Sequence, residues 1–433
     1  MRSRGFFGGI HPSTQKGGSR ESCVRRPSLP SRLHVPLSQH VGAPAVPLVK
    51  SGDAVLRGQL IGEAQGPISA NVHSPVNGEV AGVYSIRLLS GALAEVVEIA
   101  PHAEQDWDSF VRIDAAEDVS ETLRMGGIVG LGGAAFPSSV KLHSSHGKPI
   151  HTVIVNGCEC EPYLTCDDRV MREWPERVVA GARILGAATG AKRVVIALEN
   201  DKPEACEALL RHSRPDVEIV VLQARYPQGA EKQLIYSIIG EEVPHGRLPA
   251  SVGVLVHNVG TAAAITDAVQ LRKPLVERVV TVTGHVGEPA NFLALIGTPI
   301  SHLLAEAGGF TAEVSRIIAG GPMTGTAVAN LDLPVVKGTS GLVALTNADL
   351  PPAVHADRPC IRCSRCVTAC PMRLQPYAIG IHANRSDWEG IQRFVPLSCI
   401  ECGCCETVCP TRRPLIQLIR RAKQVLMSKG VEA

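Results

Sequence analysis

Two cysteine runs near the end of this 433-residue chain constrain it more than any other feature. The first is Cys360-x2-Cys363-x2-Cys366-x3-Cys370-Pro371, and the second is Cys399-x2-Cys402-x2-Cys405-x3-Cys409-Pro410. Nine of the fourteen cysteines crowd between Cys360 and Cys409. The N-terminus, Met1 to Pro12, has two arginines but no apolar core of a secretory signal. Such regular spacing without an export signal is better read as metal ligation than as disulfide pairing. Zinc favours separated CxxC pairs and has no use for a third cysteine two residues on. A [4Fe–4S] cubane needs four soft thiolates, and three cysteines two residues apart reach three corners from one loop. The fourth ligand comes from the other run. This assigns Cys360, Cys363, Cys366 and Cys409 to one cluster, and Cys399, Cys402, Cys405 and Cys370 to the second. Cys404 fits neither pattern and reads as a buried thiol.

The 28 residues between Cys370 and Cys399 include a helix-compatible stretch from Pro376 to Ile391. That points to a mostly helical two-cluster, ferredoxin-like module. Leu415 to Met427 reads as a basic amphipathic helix with a solvated face. The rest of the chain must fold as several modules, since one core does not grow to this length. Net charge is +2, which argues against a nucleic-acid partner. No apolar run is long enough to span a bilayer, and the chain is expected in the cytoplasm.

Residues 13–32, rich in Ser, Arg, Gly and Pro, read as an extended or disordered arm. From Val35 to Ile99, short β-like runs alternate with turn signals such as Ser51-Gly52-Asp53 and Val76-Asn77-Gly78. The phrases Val49 to Val55 and Ala70 to Val80 resemble the halves of a biotinyl/lipoyl-type barrel-sandwich. The lysine that would accept a prosthetic group is missing, so the unit is expected to be structural. Between 118 and 275, β-rich runs (Thr152–Asn156, Arg193–Glu199, Glu218–Gln223) alternate with helical patterns (Arg169–Thr189, Lys202–Ser213). That alternation predicts a Rossmann-like α/β layer with a mostly parallel sheet. Val279–Gly284 opens another compact unit, with a helix near Ile300–Glu306.

The richest glycine loop runs from Gly126 to Pro137, with Lys141 beyond it. Glycines let backbone amides approach a phosphate, and a lysine can add a point charge. The loop is neither the Walker pattern nor the dinucleotide fingerprint, and a plain tight turn competes with the phosphate reading. Asn156-Gly157-Cys158-Glu159-Cys160-Glu161-Pro162, Tyr226-Pro227-Gln228-Gly229-Ala230-Glu231 and Asn258-Val259-Gly260-Thr261 each follow a β-rich run. That is where ligands sit in α/β sheets.

Taken together, these motifs resemble the flavin-and-NADH subunit of respiratory complex I and, more closely, the RnfC-type subunit of the Rnf electron transport complex. The resemblance covers nearly the whole chain, from Gly8-Gly9-Ile10-His11-Pro12 and Pro36 to His40 through to both cysteine runs. It implies a multidomain α/β and α+β architecture. In order this comprises an N-terminal arm (1–32), a β barrel-sandwich (33–101), an FMN/NADH-binding α/β domain (118–275), a β-grasp (SLBB) domain (277–347) and a 2×[4Fe–4S] ferredoxin-like domain (350–433). It implies that Gly130, Gly132, Gly133 and Lys141 hold the FMN phosphate, and that Asn156, Glu159, Tyr226, Gly229, Asn258 and Thr261 complete the flavin site. It places Phe136, Glu161 and Glu231 toward NADH. Complex I has an aspartate, an arginine, a glycine and a glutamate where Cys158, Leu131, Ala135 and Ala230 stand. Cys158, Cys160 and Cys166 read as small buried residues, and His73, His245, His257 and His285 as loop or core histidines.

The function implied is electron transfer between NADH, FMN and two clusters, in a peripheral subunit on the cytoplasmic side of the bacterial inner membrane. Partners would be the membrane subunits of an Rnf complex and, indirectly, ferredoxin. No general base is required, so no catalytic residue is assigned. Two alternatives are a soluble reductase of the RnfC-like, cobalamin reductase type and a cluster-only electron carrier.

Overall fold

The computed structural model describes residues 5–143, 149–350 and 358–431. The start of the arm and the segment 351–357 at the head of the cluster module lie outside these residues.

The barrel-sandwich is built from two small antiparallel sheets. One holds Leu33–Pro36, Leu93–Pro101, Gly78–Arg87 and Ala54–Val55, in that order; the other holds Val46–Pro47, Leu60–Glu63 and Val72–His73. Alternating residues such as Val35, Val80, Val97 and Ile99 point inward and form its core. The turn at Asn77-Gly78 depends on glycine, because a Cβ at Gly78 would lie 2.4 Å from the Ala100 carbonyl oxygen. The long hairpin Gly78–Arg87/Leu93–Pro101 continues beyond the sheet toward the flavin-type domain.

That domain carries a four-stranded, all-parallel sheet in the order Glu218–Leu222, Arg193–Glu199, Thr152–Gly157, Val254–Asn258. Its strands read as unbroken apolar runs because helices cover both faces. The chain moves outward from Thr152–Gly157 in one direction and then returns to place Val254–Asn258 on the other side. The switch point therefore falls between these two strands, where Asn156 and Asn258 are paired in register. The single helix expected over Arg169–Thr189 is two, Cys166–Glu173 and Pro175–Thr189. Pro175 supplies no amide and disfavours helix at Trp174 before it, so the axis breaks there. The helix Pro175–Thr189 crosses Val259–Thr266 so closely that a Cβ at Gly181 would lie 2.0 Å from the Ala262 carbonyl.

The β-grasp unit is a mixed sheet with the helix Ile300–Glu306 packed on it. Its edge strand comes from the arm: Val24–Arg25 pairs in parallel with Asn291–Phe292. The arm is thus docked rather than loose. Gly17–Arg20 forms a helical turn, Ser19 is buried, Ile10 bridges to Tyr226, and the Gly9 amide donates to the Ala369 carbonyl (2.9 Å). Its composition suggested disorder, but its few apolar and cationic side chains find partners on other modules.

In the cluster module, Pro376–Asn384 packs against Leu415–Ser428, whose inner face is Leu415, Leu418, Ile419, Ala422 and Leu426. The outer face is not wholly solvated: Arg420 and Lys423 both grip Glu401, and Lys423 Nζ donates to the Cys399 carbonyl. Among the described residues no helix is long and apolar enough to cross a membrane.

Candidate flavin and iron–sulfur centre

Both cysteine runs fold by the same local rule. Arg362 and Glu401 adopt positive φ two residues after the first cysteine of each run, Ser364 and Gly403 do so four after it, and Arg373 and Arg412 three after the last. These left-handed turns wind the backbone around the sulfurs. They aim equivalent amides at them: Arg362 N to Cys360 Sγ and Glu401 N to Cys399 Sγ (both 3.4 Å), and Leu374 N to Cys370 Sγ (3.3 Å) and Arg413 N to Cys409 Sγ (3.5 Å). Amide-to-sulfur bonds stabilise the thiolate form that ligates metal. The sulfurs gather as two sets of four. Cys360, Cys363, Cys366 and Cys409 surround one small cavity, with Ile361, Tyr377 and Leu415. Cys370, Cys399, Cys402 and Cys405 surround the other, with Met372, Leu374, Ile416 and Ile419. Four convergent soft donors fit a [4Fe–4S] cubane at each place, the second set in an apolar shell and the first with Ser364, Thr411 and Arg413 also in its lining. Cys404 lines neither cavity and is fully buried beside Tyr226 and Ala369.

Next to the second set lies a much larger cavity of about 870 Å3. It collects Gly132, Gly133, Asn156, Glu159, Glu161, Tyr226, Gly229, Glu231 and Asn258. The glycine loop is pinned from behind. Leu131 N donates to Thr261 Oγ1 (2.8 Å), the buried Arg278 guanidinium donates to the Leu131 carbonyl, and Gly130 N donates to the Phe136 carbonyl. Gly133 faces the cavity with φ +106° and no atom within 4 Å of a would-be Cβ, a cradle that a side chain would fill. Gly130, Phe136, Lys141 and Thr261 lie behind the wall. Lys141 Nζ donates to Glu231 Oε1 (2.8 Å) and to the Val256 carbonyl (2.7 Å).

The sheet ends are locked by their asparagines. Asn258 Oδ1 caps the helix Val259–Thr266 by accepting from Gly260 N and Thr261 N, and its Nδ2 donates to Asp167. Asn156 Nδ2 donates to the Gly229 carbonyl (2.9 Å), tying the Tyr226–Glu231 loop to the sheet. Glu159, at φ +44°, accepts from Asp167 N and Asp168 N at the head of Cys166–Glu173, with Lys16 of the arm beside it. Burial, reinforced by the charge of Glu159, pushes the Asp167 carboxyl up to about 7. Burial also raises Glu161, which accepts from Met323 N and Thr324 Oγ1 of the β-grasp domain. Burial pushes Cys160 up to about 12 and raises Cys158 and Cys166, so all three are inert thiols at neutral pH. The cavity therefore presents bare backbone at Gly132 and Gly133 and carboxylates at Glu159, Glu161, Asp167 and Glu231. The size and polarity suit a flavin with room for a second ring beside it.

Sequence reasoning missed several lining groups: Gln39, the hairpin tip Leu88-Leu89-Ser90, the β-grasp loops around Gly320-Gly321 and Gly338, and Ile400 beside the expected cluster ligand Cys402. Only Gln39 had a signal, in the Pro36 to His40 phrase. The cavity meets the second sulfur set directly. Cys402 belongs to both linings, and Tyr226 Oη donates to the Cys402 carbonyl (2.8 Å).

Known families account for each module. Residues 4–104 match the RnfC barrel sandwich hybrid domain, 123–267 the Nuo51 FMN-binding domain, 279–327 the SLBB domain and 359–412 the 4Fe-4S dicluster domain. FMN and [4Fe–4S] clusters are thus the cofactors of this architecture. The chain is 44% identical over 440 residues to the C-type subunit of the ion-translocating oxidoreductase complex of Rhodobacter capsulatus, covering 99% of this chain and 84% of that protein. It is 39% identical to the C-type subunit of the proton-translocating ferredoxin:NAD(+) oxidoreductase complex of Clostridium ljungdahlii, covering 99% and 95%. To the Na(+)-translocating counterpart of Acetobacterium woodii it is 40% identical, covering 98% and 97%. Among solved structures, a chain of the NAD+-reducing [NiFe]-hydrogenase in the H2-reduced state shares the fold. The TM-score is 0.51 at 18% identity, over 71% of this chain and 62% of that one. With near-full-length identity to such relatives and their domains in the same order, the chain belongs to the RnfC family of Rnf ion-translocating oxidoreductase subunits.

Proposed function

We propose that this chain passes electrons between NADH, FMN and two [4Fe–4S] clusters as the peripheral, cytoplasmic-side subunit of a membrane-bound Rnf-type complex, whose membrane subunits couple the flow to ion translocation. The observation that carries it is the wall shared by the large cavity and the Cys370/Cys399/Cys402/Cys405 set, bridged by the Tyr226–Cys402 hydrogen bond. A flavin exchanges two electrons with a nicotinamide and one at a time with a cluster, so the cofactors supply the chemistry. The chain's residues orient and insulate. Gly132 and Gly133 leave room for a phosphate, Asn156 and Asn258 fix the sheet edge, and Glu159, Glu161 and Glu231 accept from ligand donors. Tyr226 holds the second cysteine run against the flavin domain. Cys370, Cys399, Cys402 and Cys405 ligate the proximal cluster; Cys360, Cys363, Cys366 and Cys409 ligate the distal one.

The test is anaerobic reconstitution of the clusters, addition of FMN, and mixing with NADH under optical and EPR observation. Flavin bleaching followed by reduced-cluster signals is expected. Clusters that stay oxidised with no flavin change would overturn the NADH assignment. Copurification with membrane subunits tests the assembly.

A further inference from the structure

The chain is nearly neutral overall, yet its charge is unevenly placed. Residues 358–431 hold ten arginines and two lysines against only Asp387, Glu389, Glu401 and Glu406. Around the proximal sulfur set these cations are partly cancelled, because Arg420 and Lys423 both bond Glu401. Around the distal set they are not. Arg358, Arg362, Arg365 and Arg412 are all exposed, and none forms an ion pair among the described residues. The five residues 361–365 run exposed in succession over this set, including its ligand Cys363, and Ile361 in their midst is 62% exposed. Every other sulfur of the two sets is buried or half-buried.

An iron–sulfur group near the surface is open to exchange with another protein, and a ring of one sign of charge selects and orients what approaches. A cubane bound by four thiolates is itself anionic, so without the arginines this edge would repel a negatively charged visitor. We infer that the arginine collar of Arg358, Arg362, Arg365 and Arg412, with Ile361 as its apolar anchor, is the docking face for an electron-carrying protein that presents carboxylates around its own redox centre. This rests on the reading above that the Cys360 set holds the distal cluster. The exchange is a single electron: one partner's centre is oxidised as the other's is reduced, with no bond made or broken.

The collar is tested by binding, on the FMN- and cluster-loaded chain, with a fluorescently labelled acidic plant-type [2Fe–2S] ferredoxin as probe and basic cytochrome c as the opposite-charge control. The expected result is saturable binding of the acidic probe that weakens steadily as salt rises, and little binding of cytochrome c. Reversing two collar charges, Arg358→Glu with Arg365→Glu, should weaken probe binding about tenfold or more at low salt. The Arg→Gln pair should lie between, with cluster absorbance intact in both. Binding indifferent to salt or to these variants would overturn the proposal. So would collar-dependent capture of anionic lipid vesicles without binding of the acidic probe, which would make the face a membrane contact. Clusters that NADH fails to reduce while the probe still docks in a salt-dependent way would overturn the NADH reading and leave the docking face standing.

Discussion

Two glycines three residues apart should respond to the same substitution in opposite ways. Gly133 faces the large cavity at φ +106°, outside the region that residues with a Cβ adopt comfortably, although no atom crowds the added methyl. Gly130 has no positive φ, and its Cβ would meet the Phe136 carbonyl oxygen at 3.6 Å and amide nitrogen at 3.7 Å, ordinary contacts. At Gly133→Ala the free loop relaxes toward negative φ, and binding must drive it back. Holding a non-glycine residue in such a conformation costs about 1–3 kcal/mol, so FMN affinity should fall roughly five- to a hundred-and-fifty-fold. At Gly130→Ala the methyl fits, and the unfolded chain loses freedom, so affinity should hold and stability should change by less than about 1 kcal/mol. The assay is titration of flavin-free, cluster-loaded protein with FMN, read by quenching of flavin fluorescence. The reasoning fails if Gly133→Ala binds FMN as the parent does, or if Gly130→Ala loses as much.

Three further outcomes follow from named contacts. Glu277 lies buried among Arg26 (2.9 Å), Arg57 (2.9 Å) and Lys273 (2.7 Å), which hold its carboxyl well below the usual range. Glu277→Gln should cost about 3–5 kcal/mol by stranding those cations, seen as a lower urea midpoint; an unchanged midpoint refutes it. Lys337, fully buried with Nζ donating to the Asn71 and Gly127 carbonyls, is pulled down by burial from 10.5 to about 7. Between about pH 7 and 10 the unfolded lysine still holds a proton that the folded one has released. Stability in this window should therefore rise with pH, by at most about 1.4 kcal/mol per pH unit. Lys337→Met should flatten the rise, and urea midpoints at pH 7, 8 and 9 decide. Finally, Cys363→Ala should abolish the distal cluster's EPR signal while NADH still bleaches the flavin and reduces the proximal cluster; retained distal signal counts against the ligand set.

What was legible in the sequence was whatever depends on neighbours along the chain. The cysteine spacing dictates a repeated loop, and the positive-φ positions recur at matching offsets, so the module's repeat was readable from residues alone. Strands such as Arg193–Glu199 were evident because apolar runs between turn signals have few other uses. The helix break at Trp174-Pro175 was readable too, and the amphipathic pattern simply outweighed the proline. The cavity's far wall was not legible. Leu88 and Gly321 come from two other modules and meet the flavin-type domain only through tertiary packing, with no local pattern to mark them. Charge was hidden differently: a net +2 averages a cationic cluster module against an acidic remainder.

The docked arm also sets an order of events for a chain leaving the ribosome. Gly9 is bonded to Ala369, and Ile10 is paired with Tyr226. At ordinary rates of synthesis, roughly 20 to 70 seconds separate the making of Gly9 from that of Ala369. Contacts of such long sequence separation form late, since their loop must close before they repay it. Residues made this early are therefore among the last to be laid down, and they close over a seam whose other side is a cysteine run. A nascent chain with its arm in place has already made its first cysteine run, which makes the arm a latch that closes only late in synthesis.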